Sequence, residues 1–253
     1  MKISLLGISG GELGLGHHSI SFLVDDRLLI DAGGLLHAMD LESLLKIDTL
    51  LISHSHIDHV KDMLLWGDLI FGMRSPVQTY GAEDTLGAVK SHLFNWVIWP
   101  DFSAIPTPEA PIFKFNHFQR GDFIDAGDYK VQTVEVNHTV PSTAFIIEKD
   151  NKSFVYSSDT TNTDKLWEEV NKRDNLKAIF LEISFPNKMQ VVADMSKHYS
   201  PATLAIDLKK IKVDVPIYLY HIKPSYYDEV VKEVEAIGDK RVVIAKTGQI
   251  VEI

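Results

Sequence analysis

"LLISHSHIDHVKDM", residues 50–63, decides how the rest of the chain is read. Its opening residues complete the apolar run "IDTLLIS" of a buried β-strand, which runs out into His54, His56, Asp58 and His59. Neutral imidazole and carboxylate are the usual nitrogen and oxygen donors for zinc and similar ions. In an extended stretch, side chains two residues apart point the same way, so His54 and His56 share a direction while Asp58 and His59 turn toward a second point. One short segment can therefore serve two adjacent metal ions. The competing reading is a polar surface turn, and the spacing of four ligand-type residues weighs against it.

Three residues further along repeat this context. His138 follows "VQTVEVN", Asp159 follows "FVYSS" and His221 follows "IYLY", each at the end of an apolar strand. Strand ends on one edge of a sheet converge on a common crevice, whereas unrelated polar residues scatter. Asp159 alone, before "TTNTD", reads equally well as a helix cap. Taken with the cluster, all three read as ligands. His37, His92 and His117 lack the context and read as ordinary surface or core residues.

Strand and helix signals alternate around these motifs. Apolar, β-branched runs include "SISFLV", "RLLIDAG", "SPVQTYG" and "PIFKFNHF" in the first half. The second half carries "YKVQTVEVNH", "STAFIIEKD", "KSFVYSSD", "LKAIFLEIS" and "VPIYLYH". Helical patterns fall near 35–46, 59–71, 82–95, 164–173, 201–211 and 225–237. The second half repeats the theme of the first, which predicts two packed β-sheets with helices outside, a four-layer α/β/β/α sandwich. No low-complexity linker interrupts the chain, so residues 1–253 are expected to form a single domain.

Composition narrows the chemistry. A net charge of -10 excludes functions that need broad basic surface, such as wrapping extended nucleic acid or attaching to anionic membrane. The absence of cysteine removes disulfides and thiolate ligands together, leaving nitrogen and oxygen donors for any metal. The apolar run of "MKISLLGISGGELG" stops at Gly7, too short for a signal segment or membrane span, and a cytoplasmic location is expected.

The pattern His54-x-His56-x-Asp58-His59, followed by His138, Asp159 and His221, resembles the metallo-β-lactamase superfamily of binuclear hydrolases. The resemblance implies His54, His56 and His138 on one ion, Asp58, His59 and His221 on the other, and Asp159 bridging. It also implies a structural role for Asp31 in "LLIDAG". "HSHIDHVKDM", "SHLFNWVIWPDFS", "SSDTTNTDKLWEE", "LKAIFLEISFPN", "SKHYSPATL" and "YHIKP" are similar, in order, to motifs of the class II cyclic-nucleotide phosphodiesterases. That narrower resemblance implies hydrolysis of a 3′,5′-cyclic nucleotide to a 5′-monophosphate, with Asp58, His198 and Glu182 as catalytic residues. By likeness to the tRNA 3′-processing nucleases of the same superfamily, His198 and Glu182 form a proton-transfer pair.

Two divalent metal ions are expected, zinc first, with manganese or iron accepted by the same donors. Two ions roughly 3.5–4 Å apart would give an acidic chain a local positive field for an anionic substrate. "HLFNWVIWP" places Asn95 and Trp99 where they could contact a base or line a homodimer contact, although plain core packing suits Phe94 and Trp96 better. The alternatives are another phosphodiesterase of the superfamily, such as a tRNA 3′-processing enzyme, or a non-catalytic metal-stabilised nucleotide sensor. The first would call for a basic arm, and no Gly/Lys-rich insertion is present. The second would have lost ligands first, and all seven are here.

Overall fold

Every second residue of β1 (Lys2–Gly7) is buried, so the chain opens as a strand with one face on a core. In the computed structural model, which describes residues 1–14 and 16–253, that strand joins the first of two seven-stranded sheets. Its companions are β2 (Ser21–Val24), β3 (Leu28–Ile30), β4 (Thr49–Leu51), β5 (Val77–Ala82), β8 (Phe113–Phe118) and the last strand, β16 (Ile250–Glu252). Between β5 and β8, a two-stranded ribbon pairs β6 (Pro106–Thr107) with β7 (Ala110–Pro111). The second sheet holds β9 (Phe123–Ala126), β10 (Tyr129–Val136), β11 (Ser142–Lys149), β12 (Lys152–Tyr156), β13 (Leu176–Glu182), β14 (Ile217–Tyr220) and β15 (Val242–Ile244).

The two sheets repeat one topology. In the order β16-β1-β2-β3-β4-β5-β8, three antiparallel pairings precede three parallel ones, and β9 through β15 keep the same order of pairings. Parallel neighbours end on the same edge, so β4, β12, β13 and β14 deliver their C-terminal loops toward shared mouths of the sheets. Between the sheets lies an aromatic core in which the Phe22 ring sits 5.2 Å from each of Tyr156, Phe180 and Tyr220.

Helices cover both outer faces. α3 (Asp62–Leu69) lays Trp66 against Phe113. On the other side, α5 (Asp164–Val170), α7 (Pro201–Asp207) and α8 (Tyr227–Glu235) bury Trp167, Leu204 and Val230 in one cluster with Leu181 and Leu219 of the second sheet. The four-layer α/β/β/α order is the one expected from the sequence.

Several helices differ from the sequence reading, each for a tertiary reason. The pattern at 35–46 splits into a 3₁₀ turn, Leu35–His37, and α1 (Leu41–Leu44), because the Asp40 carboxylate accepts the Ser43 N–H and starts a new helix. The pattern at 59–71 becomes α2 (Ile57–Val60) followed by α3. There the Asp62 N–H bonds to Ala32 rather than within the helix, and the Asp62 carboxylate takes the Leu36 N–H. At 82–95, α4 (Glu83–Ala88) widens into a π-turn over Val89–Leu93. A further helix, α6 (Gln190–Ser196), lies outside the helical patterns of the sequence. No helix among the described residues is long and apolar enough to cross a membrane.

Candidate metal centre

β4 ends at Leu51, and the residues after it are tied to β5 by the Ile52 N–H on the Tyr80 carbonyl, to β11 by the Thr143 N–H on the Ser53 carbonyl and to the N-terminal loop by the Ile20 N–H on the Asp58 carbonyl. His54 and His59 are fully buried, while His56 caps α2 with extended backbone. Two glycines permit the close approach. A Cβ on Gly33 would fall 1.7 Å from the Asp58 carbonyl oxygen, and one on Gly10 would fall 2.3 Å from that of His221. Asp31, Ser158 and His221 all adopt left-handed backbone, with φ of 55°, 56° and 72°, the kind of local strain that structures retain where a side chain must be aimed.

Asp159 lies at the centre. Its Oδ2 is 3.7 Å from His54 Nε2, 4.0 Å from His138 Nε2 and 3.1 Å from His221 Nε2, and its Oδ1 is 3.4 Å from His59 Nε2. Asp58 Oδ2 is 3.5 Å from His221 Nε2, and His138 Nε2 is 3.1 Å from His56 Nδ1. The donors form two groups, His54, His56, His138 with Asp159, and Asp58, His59 with His221, each with its ligand atoms within 4.8 Å of one another. All seven residues expected as ligands are thus brought together.

The outward nitrogens are each held. Asp31 Oδ2 lies 2.7 Å from His59 Nδ1, Ser184 Oγ lies 2.7 Å from His221 Nδ1, and Ser53 Oγ and Ser158 Oγ lie 3.1 and 3.4 Å from His54 Nδ1. Three of the inward nitrogens are not. His54 Nε2, His59 Nε2, His221 Nε2 and Asp159 Oδ1 are buried and lack a hydrogen-bond partner among the described residues. A buried polar atom left unpaired costs roughly 1–3 kcal/mol, so four converging on one spot mark a place built for a ligand they share. Two donors on one tetrahedral ion, with bonds of about 2.0–2.1 Å, sit roughly 3.4 Å apart. The spacings around Asp159, 3.1–4.0 Å, match that demand. Nitrogen and carboxylate donors of this kind fit zinc, manganese or iron.

Charge is arranged to the same end. Burial alone would raise the Asp159 carboxyl, but His221 and His59 hold it well below the usual carboxylate range. Burial would likewise lower His59 and His221, yet Asp159 overrides it, with Asp31 reinforcing it at His59: His59 is well above its ordinary value and His221 is pushed up to about 9. A buried anion that favours positive charge around it is the setting a bound cation would fill.

Glu182 and His198 sit against this cluster. The His198 ring stacks on His221 at 5.1 Å and meets His138 edge-on at 5.0 Å. Its Nδ1 lies 3.0 Å from Glu182 Oε1, which also accepts the Thr160 and Tyr199 N–H groups at 3.2 and 3.3 Å. An oxygen already taking two amide donors is an acceptor, so His198 donates from Nδ1 and Nε2 is the atom left to exchange a proton. Burial opposes charge on both partners, raising Glu182 well above its ordinary value and lowering His198 to about 3.

Asn95 and Trp99 make no hydrogen bond or ring contact with the cluster. Asn95 closes its own loop, accepting the Val97 and Ile98 N–H groups at 3.0 and 2.7 Å and donating to the His92 carbonyl. Trp99 packs on the outer apolar layer of the first sheet. Ser53, Ser158, Ser184 and Tyr156 are supporting residues that the sequence reading misses. Their signal is adjacency, a serine beside each ligand in "ISHSH" and "SSD" and at the strand end "EIS".

Asp31 is the keystone of that outer layer, accepting the Ser53 N–H at 2.8 Å, the Ser53 hydroxyl at 2.7 Å and the Tyr156 hydroxyl at 2.5 Å besides holding His59. Asp31→Ala is expected to weaken metal binding by about 10–100-fold. It should also destabilise the fold by roughly 3 kcal/mol or more, because several buried donors lose their partner. Metal titration and urea unfolding check the two effects. An unchanged metal affinity would contradict the supporting role.

A family model described as a β-lactamase superfamily domain matches residues 26–244. A probable 3′,5′-cyclic-nucleotide phosphodiesterase of Yersinia pestis is 25% identical over 221 residues, covering 71% of this chain and 58% of that protein. Ribonuclease Z of Methanopyrus kandleri is 27% identical over 128 residues, 48% of this chain and 40% of that protein. The chain thus spans less than two thirds of either relative. Among solved structures, unliganded yeast PDE1 superimposes with a TM-score of 0.82 at 17% identity, over 98% of both chains.

Proposed function

This chain belongs to the β-lactamase superfamily, and we propose that within it the protein is a metal-dependent phosphodiesterase that cleaves 3′,5′-cyclic nucleotides to 5′-monophosphates. The observation that carries the reading is the convergence of unpaired imidazole nitrogens on Asp159, with the Glu182–His198 pair beside them. The similarity to proteins named cyclic-nucleotide phosphodiesterases supports it.

His54, His56, His138 and Asp159 would hold one divalent ion, and Asp58, His59, His221 and Asp159 the other. Such ions supply Lewis acidity toward phosphoryl oxygens and toward the attacking water. The chain's own residues do the rest. Asp58, whose side chain is 23% exposed against 1% for Asp159, is the carboxylate that water reaches, and it orients the nucleophile. His198 gives a proton from Nε2 to the departing 3′ oxygen, while Glu182 fixes the ring by accepting from Nδ1. The substrate is small and its diester carries a single negative charge, which suits a chain with a net charge of -10.

One observation favours a second reading, the likeness to a ribonuclease Z, under which the same pair would act on a tRNA 3′ trailer. A panel of 3′,5′-cyclic nucleotides, 2′,3′-cyclic nucleotides and a trailer-bearing tRNA, offered to the metal-loaded protein, separates the two. Release of 5′-monophosphate from the 3′,5′-cyclic substrates is the expected result. Cleavage of the tRNA alone would overturn the proposal.

A further inference from the structure

β13 and β14 are adjacent parallel strands, and the loops leaving them meet beside His198. Phe185 is pinned by its N–H to the Tyr199 carbonyl at 3.4 Å, and Lys223 by its N–H to the Ser184 carbonyl at 3.3 Å. The half-exposed Phe185 ring lies 5.9 Å from His198 and 6.3 Å from Tyr226, with the Lys223 ammonium 6.0 Å from its centre. Phe185 belongs to none of the three apolar clusters, whereas Tyr226 packs on the edge of one. Core packing therefore accounts for Tyr226 and leaves Phe185 without a structural duty.

Lys223 lies beside it over the ring. Lys188, the neighbouring cation over Tyr226, is held by Glu229 at 2.5 Å. Among the described residues Lys223 has no carboxylate within ion-pair distance, and its ammonium stands over the Phe185 ring instead. An ammonium beside a centre that would hold divalent cations is repelled unless an anion joins it. An aromatic face next to an unmatched cation is the combination that takes a nucleotide, stacking the base and balancing the phosphate.

We propose that Phe185, backed by Tyr226, is the stacking shelf for the base of a nucleotide whose phosphate lies at the His/Asp cluster, and that Lys223 is that phosphate's cationic partner. This assignment rests on the reading of the cluster as a phosphodiester site and adds where the nucleoside goes. A 3′ oxygen placed at His198 puts the sugar and base one ring further out, which is where Phe185 stands.

Calorimetric titration of the metal-loaded protein with 5′-AMP and with ribose 5-phosphate tests the shelf without turnover. Wild type should bind 5′-AMP more tightly, by roughly 5- to 150-fold, the range of one base–aromatic stack. Phe185→Ala should erase that preference by weakening 5′-AMP alone, and Phe185→Trp should restore it. Lys223→Met should weaken both ligands alike. Equal affinity of the wild type for the two ligands, or a Phe185→Ala effect that is the same on both or absent from both, overturns the shelf. If the Phe185-dependent preference is found but no cyclic nucleotide is hydrolysed, the shelf stands and the proposed reaction falls. If hydrolysis is found and Phe185→Ala leaves 5′-AMP binding unchanged, the reverse holds.

Discussion

Replacing Asp159 by alanine is expected to empty both halves of the centre at once. Its two oxygens face donors from both groups, with His54, His138 and His221 toward Oδ2 and His59 toward Oδ1. Removing it takes away a shared ligand and the buried negative charge that draws cations in. Loss of a residue that merely supports a metal ligand typically costs about 10–100-fold in metal affinity, and a shared ligand should cost more. Metal analysis after dialysis should find both ions depleted, with diester hydrolysis lost in proportion. His56→Ala, which touches only one group, should deplete one ion preferentially. If Asp159→Ala keeps two tightly bound ions, the carboxylate does not bridge.

His198→Ala is expected to do the opposite: keep the metals and lose the chemistry. His198 holds Glu182 through Nδ1 and stacks on His221 without belonging to the seven-ligand set. Removing a general acid costs about 10²–10⁴-fold when the leaving group needs a proton. The departing 3′ oxygen of a cyclic nucleotide needs one, whereas p-nitrophenolate does not. The mutant should therefore turn over 3′,5′-cyclic nucleotides poorly, lose much less on bis-p-nitrophenyl phosphate, and retain wild-type metal content. Equal impairment on both substrates would assign His198 to positioning rather than proton transfer.

The site is more legible in the sequence than the helices are, for a physical reason. Ligands sit where strands end, and strand ends are announced locally by apolar runs such as "TLLIS" and "FVYSS". The paired sheets emerge from the same runs. Sequence periodicity does not carry structure supplied by distant partners. The strands β9, β15 and β16 are short and half-exposed, with no apolar alternation of their own, and they form because a neighbour offers its backbone. β1 does alternate, but so short a run at the N-terminus reads first as a segment too brief to be a leader. α6 escapes because its larger apolar residues face outward, Val191 at 71% and Met195 at 78% exposed, and only Ala193 is buried, so no apolar stripe marks it. Asn95 reads as a ligand-facing amide because polar groups beside aromatics suggest a binding loop. Its side chain instead satisfies the backbone of that loop, as asparagines in turns commonly do.

Whether the cluster is a two-metal catalytic centre is measured most directly by turnover against metal added to the stripped protein. Zinc or manganese titrated into the metal-free chain, with release of 5′-AMP from 3′,5′-cyclic AMP as the readout, should raise activity from none to a plateau reached at two equivalents per chain. Full activity in the stripped protein, or a plateau at one equivalent, would contradict a two-metal centre.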